Sequence, residues 1–566
     1  MALRQRDAAG EGKEEPAELY GDGDGDGAEA GQPAHARGPV PKWSEQLTAR
    51  GLVVAATVGI MYSVIVMKLN LTTGLDPTLN VSAALISFVI LRVWTQATAR
   101  LGFAVRPLTR QENTVIQTCA VACYGISSAG GFGSYLLGLS KKTYEAAGTD
   151  IEGNVGWKEP GIGWMTGYLF AVSFVGILAL VPLRKVGDIS HATDFAFQIT
   201  PLLAKKNYLP ESSMRSLQGY KAFICIALIL GDGMYNFAKI IVSTIWSIVD
   251  KSEKKKTKKE EDILSLDDLH RNEVFTRESL PNWIAFLGYF GLSLVAVITI
   301  PLMFPEIKWY YAIIAYILAP ALGFSNAYGS GLTDINMAFN YGKVALLILA
   351  ATAGKEHGVV AGMVGCGMVK SIASISSDLM QDFKTGHLTL TSPRSMLIAQ
   401  IVGTIMGCVI APLAFFVFYN AFDIGNLNGP WKAPYALIYR NIAILGVEGF
   451  SALPKHCLQL CCGFFAFALV ANLMRDFLPR KYGKWIPLPM AMGFPFLVGA
   501  SFAIDMCVGT LIVYIWHKID KSKAVHMVPA VASGFICGDG LWIFPASLLS
   551  LAKITPPMCM AFESTR

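Results

Sequence analysis

The stretch 323–343 reads GFSNAYGSGLTDINMAFNYGK and holds Asp334, Asn336, Asn340 and Lys343. A carboxylate, two amides and an ammonium on about three helical turns could bind a polar solute, hold an ion or move a proton. Apolar runs flank the stretch at 309–322 and 344–353. It is therefore either an extramembrane loop or a helix broken inside a bilayer. The apolar run before it is only just long enough to span, which favours the broken helix. Non-helical backbone at that depth must be buried in protein or line a water-filled cavity. Polar groups there mark a substrate or ion path.

Other ionisable residues lie in apolar surroundings. Asp505 sits mid-run with no basic neighbour in sequence, and a carboxylate held there could carry a proton. Asp232 and Asp539 each lie between paired glycines, at 231/233 and 538/540. Each is as well explained by a structural partner as by proton transfer. Glu112 and Asn113 open a segment that continues to Tyr124, and Arg440 and Glu448 lie in or beside a later one. The expected substrate path draws on Glu112, Asn113, Tyr124, Asp334, Asn336, Asn340, Lys343, Arg440 and Glu448. Asp232, Asp505 and Asp539 are the expected proton-coupling acids.

Enzyme motifs do not occur. Gly342-Lys343 lacks the upstream glycine of a phosphate loop, since position 337 is Met337, and neither H-E-x-x-H nor G-x-S-x-G is present. No loop is long enough for a nucleotide domain, so active transport would draw on an ion gradient. Cys457, Cys461 and Cys462 have no zinc spacing and no histidine in register. No metal site and no cofactor is expected.

The elements that must position these residues are membrane spans. Of 566 residues, 53% are hydrophobic and only 16% charged, against about 25% charged in soluble proteins. Mean hydropathy is +0.45. The fold class is an all-α polytopic membrane protein with about 13–14 hydrophobic segments in two related halves containing broken helices. Five segments, near 50–68, 80–95, 112–138, 161–183 and 219–249, precede the basic run KSEKKKTKK at 251–259. Nine follow, near 282–304, 307–325, 340–353, 357–377, 394–419, 434–453, 456–474, 487–515 and 527–551. Gly358 and Gly362 have the spacing that lets helices approach closely in lipid. The halves share Gly231-Asp232-Gly233 with Gly538-Asp539-Gly540, and Thr73-Gly74-Leu75-Asp76 with Ser330-Gly331-Leu332-Thr333-Asp334. Duplicated halves with matching interruptions are a secondary-transporter signature.

The expected layout is a disordered acidic cytosolic tail at 1–48, a first transmembrane half at 49–249, and a lysine-rich cytosolic loop at 250–280. A second half at 281–553 and a tail at 554–566 follow. Positive-inside bias places the lysine run in the cytosol without any nucleic-acid partner. Five segments between a cytosolic tail and a cytosolic loop is an odd number, and the short, mixed region 186–210 is where spans would be lacking.

Several long stretches resemble the Yellow Stripe-Like branch of the plant oligopeptide transporter family. They include Thr109–Thr114 (TRQENT), Trp157–Gly167 (WKEPGIGWMTG), Gly219 onward (GYKAFICIALI) and Gly331–Met337 (GLTDINM). They continue with Asp378–Gly386 (DLMQDFKTG), Ala433–Asn441 (APYALIYRN), Pro487–Met492 (PLPMAM) and Cys537–Gly540 (CGDG). The resemblance covers nearly the whole chain apart from the tail and 186–210. It implies a proton-coupled carrier of metals, such as iron, chelated by nicotianamine or a phytosiderophore. It also implies about a hundred further residues, holding about three spans, between Lys185 and Pro210. The expected partners are the metal–chelate complex, protons, the lipid bilayer and, as one option, a second copy of the chain. A multi-pass protein of the plasma membrane with a cytosolic N-terminus is expected. The alternative is a truncated membrane protein without transport activity that associates with an intact relative.

Overall fold

The structure is a computed structural model. It describes residues 41–74, 79–103, 106–148, 154–181, 217–249, 266–277, 281–333, 336–426, 429, 431–449, 456–479, 483, 486–498, 500–552 and 554. Within these, every regular element is a helix. They are α1 Trp43–Gln46, α2 Ala49–Thr72, α3 Asn80–Arg100, α4 Arg110–Ala129, α5 Tyr135–Gly138, α6 Lys141–Ala147 and α7 Ile162–Ala179. Then come α8 Leu217–Val249, α9 Leu266–Arg277, α10 Asn282–Met303, α11 Trp309–Thr333, α12 Ala338–Thr389 and α13 Pro393–Ala421. Last are α14 Pro434–Glu448, α15 Cys457–Phe477, α16 Pro489–Val498, α17 Ala500–Ile519 and α18 Lys521–Leu551.

Nine of the described helices are long and apolar enough to cross a membrane. Each of the fourteen expected segments contains helix, but the boundaries move. The segment expected at 487–515 is divided between α16 and α17. Helix α1 packs at 43–46, where Gln46 Oε1 accepts from Ser392 N at 3.0 Å and Ser395 Oγ at 2.7 Å. The lysine run 251–259 and the whole of 186–210 lie outside the described residues.

Helix α12 organises the molecule. It is two arms joined at Gly354, whose φ of 79° and ψ of −172° are closed to residues with a Cβ. The arms fold back on each other. A Cβ on Gly358 would stand 2.7 Å from Ala350 O, and one on Gly362 would stand 2.8 Å from Ala350 Cβ. The GxxxG spacing read from the sequence thus seals this hairpin. Its tip, with Lys355, Glu356 and His357, is exposed. The long arm, 355–389, is buried over 358–377 and packs against α4, α7 and α11.

Helix starts follow local chemistry. Thr48, Thr109 and Ser392 cap α2, α4 and α13, each accepting a backbone N–H with its hydroxyl. The expected broken stretch 323–343 is narrower than its composition implied. Helix α11 runs unbroken to Thr333, and α12 begins at Ala338. Glycine, serine and asparagine are poor helix formers in water. In apolar surroundings a helix is the way to satisfy the backbone, so the run continues.

A polar seam at the helix interruption

Asn326 on α11 is the hub of a buried network at this interruption. Its Nδ2 donates to Asn336 Oδ1 at 2.9 Å and to Ala373 O at 3.0 Å. Its Oδ1 accepts from Met337 N at 2.9 Å, just before α12 begins. Asn336 Oδ1 also accepts from Ala338 N, while its Nδ2 donates to Ser374 Oγ at 3.1 Å and Asp378 Oδ1 at 3.0 Å. One amide thus satisfies the start of a helix arm and reaches an acid on the other arm. The contact falls near the middle of the long arm.

The seam continues along α12 towards Thr389. Gln381 Nε2 donates to Ser330 Oγ on α11 at 2.6 Å, and Asn80 Nδ2 at the start of α3 donates to Gln381 Oε1 at 3.3 Å. Tyr124 on α4 donates to Asn80 Oδ1. One turn beyond Asp378 is Asp382, 1% exposed, whose Oδ2 has no hydrogen-bond partner. Thr118 on α4 lies beside it, its Oγ1 likewise without a hydrogen-bond partner. A charged carboxylate is costly where so few donors reach it. Asn80, Asn336, Asp378 and Gln381 are only half-buried, so the seam opens at one edge. A separate groove of about 440 Å³ lies on the outer face of α3, along Val89 to Thr98, and its lining is almost wholly apolar.

Two expected path residues, Tyr124 and Asn336, thus meet in this seam. Asn340 and Lys343 follow on the first two turns of α12, three residues apart and so on one face of that helix. Asn113 donates to Ala84 O at 3.3 Å, towards the far end of α4. Glu112 is placed elsewhere: its carboxylate accepts from Arg50 Nε at 2.7 Å, Arg50 Nη2 at 2.6 Å and Thr48 Oγ1 at 2.6 Å, locking α2 to α4. Arg440 donates to Asn154 Oδ1, Gly138 O and Gly156 O, between 2.7 and 2.9 Å, which spends its fork on the end of α5 and the loop before α7. Glu448 is half-buried at the end of α14. Asp334 lies outside the described residues.

Among the expected proton-coupling acids, Asp232 has a full set of partners. It accepts from Asn236 Nδ2 at 2.8 Å, Asn472 Nδ2 at 2.7 Å and Met490 N at 3.0 Å. The last contact places a carboxylate at the N-terminus of α16, where backbone N–H groups are otherwise unpaired. Asp505 and Asp539 fall within α17 and α18, but their side chains lie outside the described residues. Asp378 and Asp382 were not among the expected site residues. The family-like stretch 378–386 was their only signal. No three His, Cys, Asp or Glu side chains gather as a metal site among the described residues.

A bundle of apolar helices around an interrupted hairpin, with a carboxyl–amide seam buried at the interruption, defines a multi-pass membrane transporter. The chain belongs to the OPT oligopeptide transporter protein family, whose profile matches residues 46–187 and 195–550. It is similar to the probable metal-nicotianamine transporter YSL9 of Oryza sativa subsp. japonica, at 61% identity over 663 aligned positions covering 98% of this chain and 96% of that one. It is also similar to the metal-nicotianamine transporter YSL3 of Arabidopsis thaliana, at 53% identity over 93% and 94%. The iron-phytosiderophore transporter yellow stripe 1 of Zea mays is 50% identical over 92% and 93%. The first alignment has 663 positions, while 98% of 566 residues is about 555, so about a hundred positions face a gap in this chain.

Proposed function

We propose that the chain binds a metal–nicotianamine or metal–phytosiderophore complex, with iron as one metal, along the seam from Asn336 to Gln381. Protons are the coupling ion. The observation that carries this reading is the meeting of Asn326, Asn336 and Asp378 at a helix interruption near the middle of a long buried arm. The names of the relatives supply the substrate class. A chelate presents amines and carboxylates, so amides and acids suit it and no protein ligand need touch the metal. Asp382 is the acid best placed to take up the proton, because one of its oxygens is unbonded and buried. Asn326 and Asp382, each 1% exposed, close the seam in this conformation, so loading requires α11 and the long arm of α12 to part. The test is uptake of a radiolabelled metal–nicotianamine complex into proteoliposomes holding the purified chain. Uptake abolished by Asn336→Ala and kept by Asn113→Ala supports the reading; uptake indifferent to Asn336→Ala refutes it.

A second reading rests on the gap of about a hundred positions and on the break in the family match at 188–194. On this reading the shortened form binds the chelate but does not complete transport. Inserting the corresponding segment of a relative between Lys185 and Pro210 would then raise uptake severalfold without changing the affinity. Equal uptake with and without the insert refutes it.

A further inference from the structure

Lys343 sits on the second turn of α12, seven residues beyond Asn336, and is 3% exposed. Its Nζ has one hydrogen-bond acceptor, Asn340 Oδ1, at 3.3 Å. Three aromatic rings, Phe339, Tyr435 and Tyr439, stand around it with centroids 5.2, 5.7 and 5.6 Å away. Rings attract a cation, but an ammonium has three N–H donors to place. Among the described residues it forms no ion pair, which is the usual condition for burying a charge. Beside it, Asn340 is 1% exposed and its Nδ2 is buried without an acceptor. A second buried ammonium, Lys370, lies on the facing arm of α12 opposite Gly342 and donates to Ser128 O at 3.0 Å. Lys343 thus has donors to spare beside an unbonded amide N–H, and no carboxylate among the described residues pairs with it.

We propose that Lys343 and Asn340 form a subsite for a carboxylate group of the bound chelate. Asn340 and Lys343 share a face of the first two turns of α12, and Asn336, just before the helix, holds the Asp378 carboxylate, so an acid stands at the interruption and the ammonium further along the short arm. An amino-carboxylate chelate carries both complements: amine groups for the acid end and carboxylates for the basic end. The aromatic walls keep water from the ammonium and so strengthen its pull on an anion. This inference rests on the proposed function, and the subsite adds the polarity with which the ligand lies in the seam.

The test measures equilibrium binding of Ni(II)–nicotianamine to the full-length purified chain by tryptophan fluorescence or calorimetry. Lys343→Met removes the charge at similar volume, and Asn340→Asp keeps the lysine but gives it a built-in carboxylate. Both variants are expected to bind at least about tenfold more weakly, with melting temperatures no lower than the parent's, since an unpaired buried charge has been neutralised or paired. Binding lost in Asn336→Ala but unchanged in both Lys343→Met and Asn340→Asp overturns the subsite and leaves the seam in place. No binding by the parent chain overturns the proposed function and the subsite together. Should Lys343→Met fail to fold, Asn340→Asp alone decides: unchanged binding overturns the subsite, and a tenfold loss upholds it.

Discussion

Asp232 and Asp382 are both fully enclosed acids on long apolar helices, and their surroundings separate them. Asp232 receives three donors from α8, α15 and α16 and ties those helices together. Asp382 leaves one oxygen unbonded beside Thr118. Asp232→Asn is expected to cost about 1–3 kcal/mol, because amide N–H groups would face donors. A lowered melting temperature in detergent, with substrate affinity per folded molecule unchanged, is the expected result. An unchanged melting temperature with lost binding would move Asp232 into the path. Glu112→Gln should destabilise by a similar amount, about 1–3 kcal/mol, with the melt lowered and the substrate affinity kept. The sequence made Asp232 visible because its apolar run is clean. It hid Asp382 because Gln381 and Lys384 stand beside it. That mixture reads as the end of a span at 377, whereas the helix continues to Thr389.

At the scale of elements, the hairpin at Gly354 decides whether the seam forms. Gly354→Ala places a Cβ at φ 79° and should cost about 1–3 kcal/mol. Gly358→Leu is expected to be worse, since its Cβ alone would stand 2.7 Å from Ala350 O. The yield of monodisperse protein should fall in the order parent, Gly354→Ala, Gly358→Leu. Full yield of Gly358→Leu would show that the arms do not touch there. The sequence announced the close contact through its glycine spacing, but not its partner: the reversal at Gly354 puts the two arms of one hairpin face to face. Composition also misplaced the interruption, since residues 323–333 remain helical and Asn326 and Ser330 use that helix to reach α12.

For the whole molecule, membrane class was legible from composition, whereas the seam was not. Asn80 and Gln381 meet across 301 residues of sequence, and no local pattern encodes such a meeting. The proposed orientation sets the lysine run in the cytosol, so a cysteine introduced at Ser252 should react with an impermeant reagent only after cells are opened. Labelling of intact cells would invert the topology. Surface pairs will not obscure the pH response of the seam. Asp423, outside the spans, is held below the usual carboxylate range by Lys142 and Asn426. Its contribution is present above the unfolded pKa of about 3.9 and lost only as pH falls through the still lower folded value. The most direct test of the central claim is therefore the affinity of an exchange-inert Co(III)–nicotianamine complex between about pH 5 and 8, the range of maximal stability of most proteins. It should be measured for the parent chain, Asp382→Asn and Asp232→Asn. The account predicts affinity rising as pH falls for the parent and for Asp232→Asn, and a flat profile for Asp382→Asn. A parent-like slope in Asp382→Asn, or a slope lost only in Asp232→Asn, would contradict it.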